Sequence, residues 1–277
     1  MYCIPTIAGS CGSAWNATSC PIPVARPGHV VVHDLNISWI KPFVHVTGAS
    51  RQRLTSLANY ARFFIPQLLA NVTNTSLYLD CDTIVQGDVV ALMDAWQWQP
   101  GMILGGIDYN SLFIHGRARA LFYQLHQLRV KKWERSFNAG VVLLKHDTWL
   151  TTNATEEVLR WMQENAKYSL WTLGSQPPMQ LVAHNRWQQL PSQWNFGGLA
   201  KPDVDAVEPS VIAQQAILHW SGHPHKPWLA EPHHFEVWVQ HLFASPTAPV
   251  CACVQQEAAQ RGHKDTPLSR YIAARLS

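Results

Sequence analysis

Two stretches of this sequence carry residues whose types and spacing suit chemistry. The first is Leu77-Tyr78-Leu79-Asp80-Cys81-Asp82, an apolar run that ends in two carboxylates one residue apart. Side chains alternate along a strand, so Asp80 and Asp82 are expected to point the same way. Two carboxylates converging on one point call for a shared proton or a cation, and a hard divalent ion with oxygen ligands meets that need. The plainer alternative is a solvated cap-and-turn. The second stretch is His219-Trp220-Ser221-Gly222-His223-Pro224-His225-Lys226-Pro227-Trp228. Here a histidine closes an apolar run, a glycine follows, and a lysine precedes Pro-Trp. Histidine can complete a metal shell that carboxylates begin. Glycine admits a ligand close to the backbone, and lysine meets phosphate as a compact point charge. Asp, Asp, His and Lys together suit a metal-bound diphosphate.

The elements that must position these residues follow from periodicity. Apolar positions from Arg51 to Leu69 recur at helical spacing, with Pro66 expected to end or kink the helix. Strands are expected at His29–Leu35, Phe43–Thr47, Ser76–Asp80, Met102–Ile107, Phe137–Leu144 and Ala216–Trp220. Helices are expected at Asp88–Trp96 with Asp88 as N-cap, at Arg117–Leu128, at Asp147–Asn165 as one amphipathic element, and over 231–244. Strands alternating with helices predict an α/β fold with a largely parallel sheet, whose ligands bind beyond the carboxyl ends of the strands.

Several classes are set aside by composition. With 47% hydrophobic and 14% charged residues over 277 positions, the chain can bury a sizeable core and is not of the disordered type. The thirteen Trp are read first as core and second as platforms for sugar rings. Lys131-Lys132 is the only basic pair in a chain of net charge +3, so no nucleic-acid partner is expected. Six Cys occur without a C-x-x-C pair, which argues against a zinc ribbon; Cys3, Cys11, Cys20, Cys251 and Cys253 crowd the two ends, as disulfides or as free thiols. Five Asn-x-Ser/Thr sites, at Asn16, Asn36, Asn71, Asn74 and Asn153, point to a secretory lumen. No apolar run has the length of a membrane span, and the start does not read as a signal peptide.

Taken in order, several segments resemble glycosyltransferase family 8, the retaining transferases that use UDP-sugars. Ala61-Arg62-Phe63 is similar to the family's A-R-[FL] pattern. Tyr78–Val85 is similar to its metal motif, and Gln86-Gly87-Asp88 to the residues that succeed that motif. Phe137-Asn138-Ala139-Gly140-Val141 is similar to its F-N-x-G-V strand, and Leu173–Pro178 to a loop of its galacturonosyltransferase-like and glycosyltransferase-8-domain branches. His219–Trp228 resembles its H-x-x-G-x-x-K-P-W motif, with Lys226 one residue late. The resemblance implies a Rossmann-like nucleotide-diphospho-sugar transferase fold, with a single mixed, mainly parallel sheet. It implies Asp80, Asp82 and His219 as ligands of manganese or another divalent cation, and Gly222 and Lys226 on the diphosphate. It places Arg62 on the donor, and Asn138 and Gln176 near the sugar or acceptor.

The implied activity is metal-assisted, retaining transfer of a hexosyl or pentosyl unit from a UDP-sugar to a hydroxyl of a glycan, polysaccharide or glycoprotein. The implied setting is the Golgi lumen. Residues 1–28 do not resemble the family's opening strand and acidic turn. The expected organisation is therefore an irregular segment 1–28, an N-terminally truncated transferase domain 29–244, and a linker and tail 245–277. One rival is a non-catalytic protein of the same shape that binds glycan or a partner, which poor UDP affinity with intact glycan binding would favour. Another is a metal-dependent hydrolase, which sugar release without an acceptor would favour.

Overall fold

A computed structural model describes residues 33, 35–48, 51, 54–108, 114, 116–127, 129–132, 134–202, 207–241, 267, 270, 271 and 274. Among them the strands are β1 Thr75–Leu79, β2 Thr83–Val85, β3 Leu104–Asp108, β4 Phe137–Lys145, β5 Trp187–Gln189, β6 Phe196–Gly197 and β7 Ile217–His219. The chain divides into two compact units. One is formed by His33–Tyr78 and Val90–Ser192; the other draws its described residues from Leu79–Val89 and Gln193–Ser277.

The larger unit is built on a sheet of order β1-β4-β3-β5. Strand β4 is buried at seven of its nine positions, as expected of a strand covered on both faces. It runs antiparallel to β3, with Leu104 opposite Leu144, whereas β3 and β5 are parallel. Gly106 is required here by close approach: a Cβ would stand 2.7 Å from that of Phe137. The helix Ala154–Tyr168 buries Ala154, Val158, Trp161, Met162 and Asn165, a stripe at helical spacing. Trp149, Trp161 and Trp171 are fully buried, in keeping with the core reading of the tryptophans.

Several local expectations are corrected. The apolar pattern before Leu69 forms a 3-10 helix, Leu57–Phe64, followed by the short α-helix Ile65–Leu68. Pro66 stands in the first turn of that α-helix rather than at its end, where its missing N–H leaves no helical bond unmade. Ser38–Phe43 is a 3-10 helix and 44–47 is irregular, so no strand forms at Phe43–Thr47. The single helix expected over Asp147–Asn165 is two, His146–Thr151 and Ala154–Tyr168, divided where Asn153 takes a left-handed φ of 51°. Asparagine tolerates that conformation better than most residues. The Pro177-Pro178 pair opens a buried helix, Gln176–Val182, instead of marking a loop. The strand expected over His29–Leu35 lies outside the described residues except at 33 and 35, which are irregular.

The smaller unit holds the second sheet, of order β2-β7-β6. Strand β7 is central and wholly buried; it pairs antiparallel with β2 and parallel with β6. The backbone amides of Gln86 and Gly87 both donate to the Ala216 carbonyl, at 2.8 and 2.9 Å. Gly87 has no room for a side chain, since a Cβ would lie 2.7 Å from that of Ala216. Leu199, Ala200, Ile212, Leu218 and Trp220 form the apolar core of this unit. The α/β character holds, while the strands form two sheets of mixed direction in place of one mainly parallel sheet. The distant return of β7 beside β2 requires no right-handed crossover helix, because antiparallel neighbours can be joined by any connection that reaches.

Buried histidines make stability pH-dependent. His146 is 1% exposed, between the Ser76 hydroxyl at 2.8 Å and the Thr73 carbonyl at 2.7 Å. Burial lowers its pKa, against the hydrogen bond to Thr73 and the charge of Asp147, which act to raise it. Burial likewise lowers His126 and His184. A histidine lowered on folding binds its proton more readily in the unfolded chain. Its contribution is therefore complete above the unfolded pKa of about 6.5 and is lost as pH falls below it. The melting temperature is expected to drop between about pH 7.5 and pH 5.5 in a thermal scan; a flat profile would contradict the neutral burial of these rings.

Candidate metal and diphosphate site

The smaller sheet explains how residues distant in sequence meet. Strand β7 ends at His219, which stands opposite Thr83 of β2 on one side and Gly197 of β6 on the other. Asp82 immediately precedes β2, and its carbonyl accepts from the Trp220 amide at 2.9 Å. Asp80 and Asp82 occupy the turn between β1 and β2 rather than a strand. Their convergence therefore comes from the turn, where the Thr83 hydroxyl donates to the Asp80 carbonyl at 2.7 Å, and not from alternation along a strand. Cys81 between them is an exposed thiol.

One ligand atom from each of Asp80, Asp82 and His219 lies within 4.8 Å of the other two. His219 Nε2 is 3.3 Å from Asp82 Oδ1 and 4.0 Å from Asp80 Oδ2. Adjacent ligands around an ion with bonds of about 2.1–2.4 Å stand about 3–3.5 Å apart; the His219–Asp82 pair meets that spacing, and Asp80 at 4.0 Å from His219 would have to close by about half an ångström to join it. The donor set of two carboxylates and an imidazole is of the kind that such ions accept. His219 and Asp82 are buried, while Asp80 is partly open to solvent.

Asp82 is shared. Its second oxygen, Oδ2, takes an ion pair from the Lys226 ammonium, which also donates to the Trp220 carbonyl. Burial acts to raise the pKa of Asp82, but His219 and Lys226 together outweigh it and hold the carboxyl well below the usual range. The extra residue in His223-Pro224-His225 does not carry Lys226 away from the cluster. Gly222 just before it has a φ of 101°, open to glycine and rarely to other residues, and a Cβ there would stand 2.7 Å from Lys201 Cγ.

Arg62, Asn138 and Gln176 belong to the larger unit and gather at the start of β4. Arg62 is 3% exposed and donates to the Asn59 carbonyl at 3.1 Å, to Asn59 Oδ1 at 2.9 Å and to the Ala139 carbonyl. Its guanidinium lies over the Tyr78 ring, 4.4 Å from the centroid. The Ala139 amide donates to Gln176 Oε1 at 2.9 Å, and the Gly140 amide to Asn138 Oδ1 at 2.9 Å. All three side chains thus organise one short stretch of backbone.

One neighbour of the cluster was not evident from the sequence. Asn195, 6% exposed, places Oδ1 2.9 Å from His219 Nδ1. It closes a four-residue 3-10 turn, Ser192–Asn195; an asparagine in a turn is so common that composition alone does not single it out. Asn36, Asn71, Asn74 and Asn153 are exposed, whereas Asn16 and the cysteines other than Cys81 lie outside the described residues. Among the described residues no helix is long and apolar enough to cross a membrane.

Comparison with known proteins shows the family and the fold. The sequence model of the family described as glycosyl transferase family 8 matches residues 29–231. Glycosyltransferase 8 domain-containing protein 1 of Rattus norvegicus is 29% identical over 222 residues, which cover 72% of this chain and 57% of that protein. Probable galacturonosyltransferase-like 4 of Arabidopsis thaliana is 27% identical over 207 residues, with the same two coverages. The chain therefore spans little more than half the length of these relatives. Among solved structures, the galactosyltransferase LgtC in complex with donor and acceptor sugar analogues superposes with a TM-score of 0.53 at 21% identity, covering 77% of this chain and 74% of that one. That likeness establishes the Rossmann-like nucleotide-sugar transferase fold.

Proposed function

The chain belongs to glycosyl transferase family 8, and from that premise we propose that it transfers a hexosyl or pentosyl unit from a UDP-sugar to a hydroxyl acceptor, with retention and with a divalent cation, manganese by preference. The observation that carries this reading is the convergence of Asp80, Asp82 and His219, with Lys226 on the far oxygen of Asp82. A cation bound there would supply Lewis-acid stabilisation of charge on the departing diphosphate.

The protein's own groups do the rest. Asp82 stays ionised because two basic neighbours face it. Lys226 brings a positive charge to the edge of the cluster, where a diphosphate oxygen can take the place of the Trp220 carbonyl as its partner. Gly222 lets the loop pass close against Lys201 in a conformation that other residues rarely adopt. In the transfer itself the bond between the anomeric carbon and the β-phosphate oxygen breaks, and its electron pair leaves with UDP. The acceptor oxygen bonds to the anomeric carbon on the same face, and its proton passes to the departing phosphate oxygen. The family resemblance supports parts for Arg62 in holding the donor, and for Asn138 and Gln176 near sugar or acceptor. The exposed Asn-x-Ser/Thr sites support action in a secretory lumen on a glycan, polysaccharide or glycoprotein. The family match over residues 29–231 supports most of the proposed transferase domain 29–244, flanked by 1–28 and 245–277.

The test is a calorimetric titration with UDP, with and without manganese. Manganese-dependent binding is the expected result. An absence of binding in both conditions would sink the catalytic reading and leave a glycan- or partner-binding protein of the same fold in its place.

A further inference from the structure

We infer that Asn195 is a positioning residue that holds the Nδ1 hydrogen of His219, so that Nε2 is turned to the point where Asp80 and Asp82 converge. The inference rests on the proposed reading of those three residues as a cation site. It begins with pairing: in the three-stranded sheet, His219 at the end of the central strand lies opposite Gly197 of the parallel neighbour. Asn195 precedes that neighbour and is itself buried. Gly197 keeps the intervening space small, since a Cβ there would stand 3.6 Å from Asn195 Oδ1 and 3.1 Å from the Ser221 hydroxyl.

The rest is hydrogen-bond accounting. The Asn195 amide oxygen only accepts, so His219 Nδ1, 2.9 Å away, must carry the hydrogen. It is then Nε2 that faces Asp82 Oδ1 at 3.3 Å and Asp80 Oδ2 at 4.0 Å; a hydrogen on Nε2 goes to the Asp82 carboxylate, and a bound cation takes that hydrogen's place. A ring without its Nδ1 hydrogen would leave two acceptors facing each other there and would give up the contact that turns Nε2 toward the carboxylates. Partners of this kind, on the far nitrogen of a ligating histidine, orient the ring and raise its basicity.

The experiment compares the full chain with Asn195→Ala and Asn195→Asp. Manganese affinity in the presence of UDP is read from the paramagnetic resonance of the free ion. The His219 tautomer is read separately, without metal, from long-range proton–nitrogen correlations of the imidazole, assigned by their loss in His219→Gln. The expected results are a hydrogen on His219 Nδ1 in the unsubstituted protein, affinity weakened about 10–100-fold in Asn195→Ala, and affinity within about threefold in Asn195→Asp, which keeps the acceptor. A ring bare at Nδ1 in the unsubstituted protein would overturn the inference without any variant having to fold. So would manganese bound as tightly by Asn195→Ala as by the unsubstituted chain, while the cation site itself stood. Failure of the unsubstituted protein to bind manganese at all would remove the cation site and this inference together.

Discussion

Asp82→Asn is expected to abolish manganese-dependent UDP binding and to lower sugar transfer by at least about a thousandfold, or about 4 kcal/mol of transition-state stabilisation. The size of the effect comes from how much this one carboxylate does. Its Oδ1 faces His219 Nε2 at 3.3 Å and its Oδ2 pairs with Lys226. Asparagine keeps the shape but removes the charge, so it cannot balance a divalent ion or an ammonium group. A carboxamide also presents an N–H to one of two positions that both call for an acceptor. The check is a pair of measurements, manganese affinity by paramagnetic resonance and initial transfer rate. Wild-type manganese affinity in Asp82→Asn would place the cation elsewhere. Asp80→Asn is expected to act in the same direction with a smaller effect, because Asp80 is partly solvated and stands further from His219.

Lys226→Met separates the metal from the diphosphate. Methionine keeps an apolar stem of similar reach and removes the ammonium. Asp80, Asp82 and His219 remain, so manganese binding is expected to persist, while kcat/KM for transfer falls by about 10²–10³-fold, the usual effect of losing one preorganised donor at a developing negative charge. Lys226→Arg is expected to restore little. The ammonium serves Asp82 Oδ2 and the Trp220 carbonyl from one point, and a planar guanidinium cannot reproduce that geometry in a side chain only 16% exposed. Transfer at the unsubstituted rate by Lys226→Met would show that the lysine serves only as the ion-pair partner of Asp82. A third outcome, loss of manganese together with transfer, would mean that Lys226 holds Asp82 in place for the metal. A melting curve of the metal-free variant separates that outcome from general unfolding.

These two variants also divide the proposed transferase from its rivals. A hydrolase using the same ligands would release sugar without an acceptor and would lose that release in Asp82→Asn. A non-catalytic relative would show neither activity, and its glycan binding would be indifferent to Lys226.

Much of the site was legible because its residues sit in dense local patterns. An apolar run ending in Asp80-Cys81-Asp82, and a histidine followed by glycine, lysine and Pro-Trp, are each informative within ten residues. The long elements were legible for a similar reason. Strand β4 and the helix Ala154–Tyr168 bury enough side chains in sequence for periodicity to show. The errors cluster where several local signals compete. At Thr151-Thr152-Asn153 the amphipathic stripe continues across a break set by one backbone conformation. At Gln176-Pro177-Pro178 the prolines mark a helix start and not a stop, a choice that depends on which neighbour takes the remaining hydrogen bonds.

Amino-acid order alone determined which candidate ligand types this protein carries, and that two separated segments hold them. Tertiary structure decided how those segments meet. Strands β2, β6 and β7 have three, two and three residues, too few for a period to register. Such strands exist only because each supplies the backbone partners of the next. Their pairing sets Asp82 on one side of His219 and Asn195 on the other, across gaps of 137 and 24 residues in the chain (219 − 82 and 219 − 195). A hydrogen bond between residues that far apart leaves no trace in composition or spacing, since nothing local favours it until the sheet has formed.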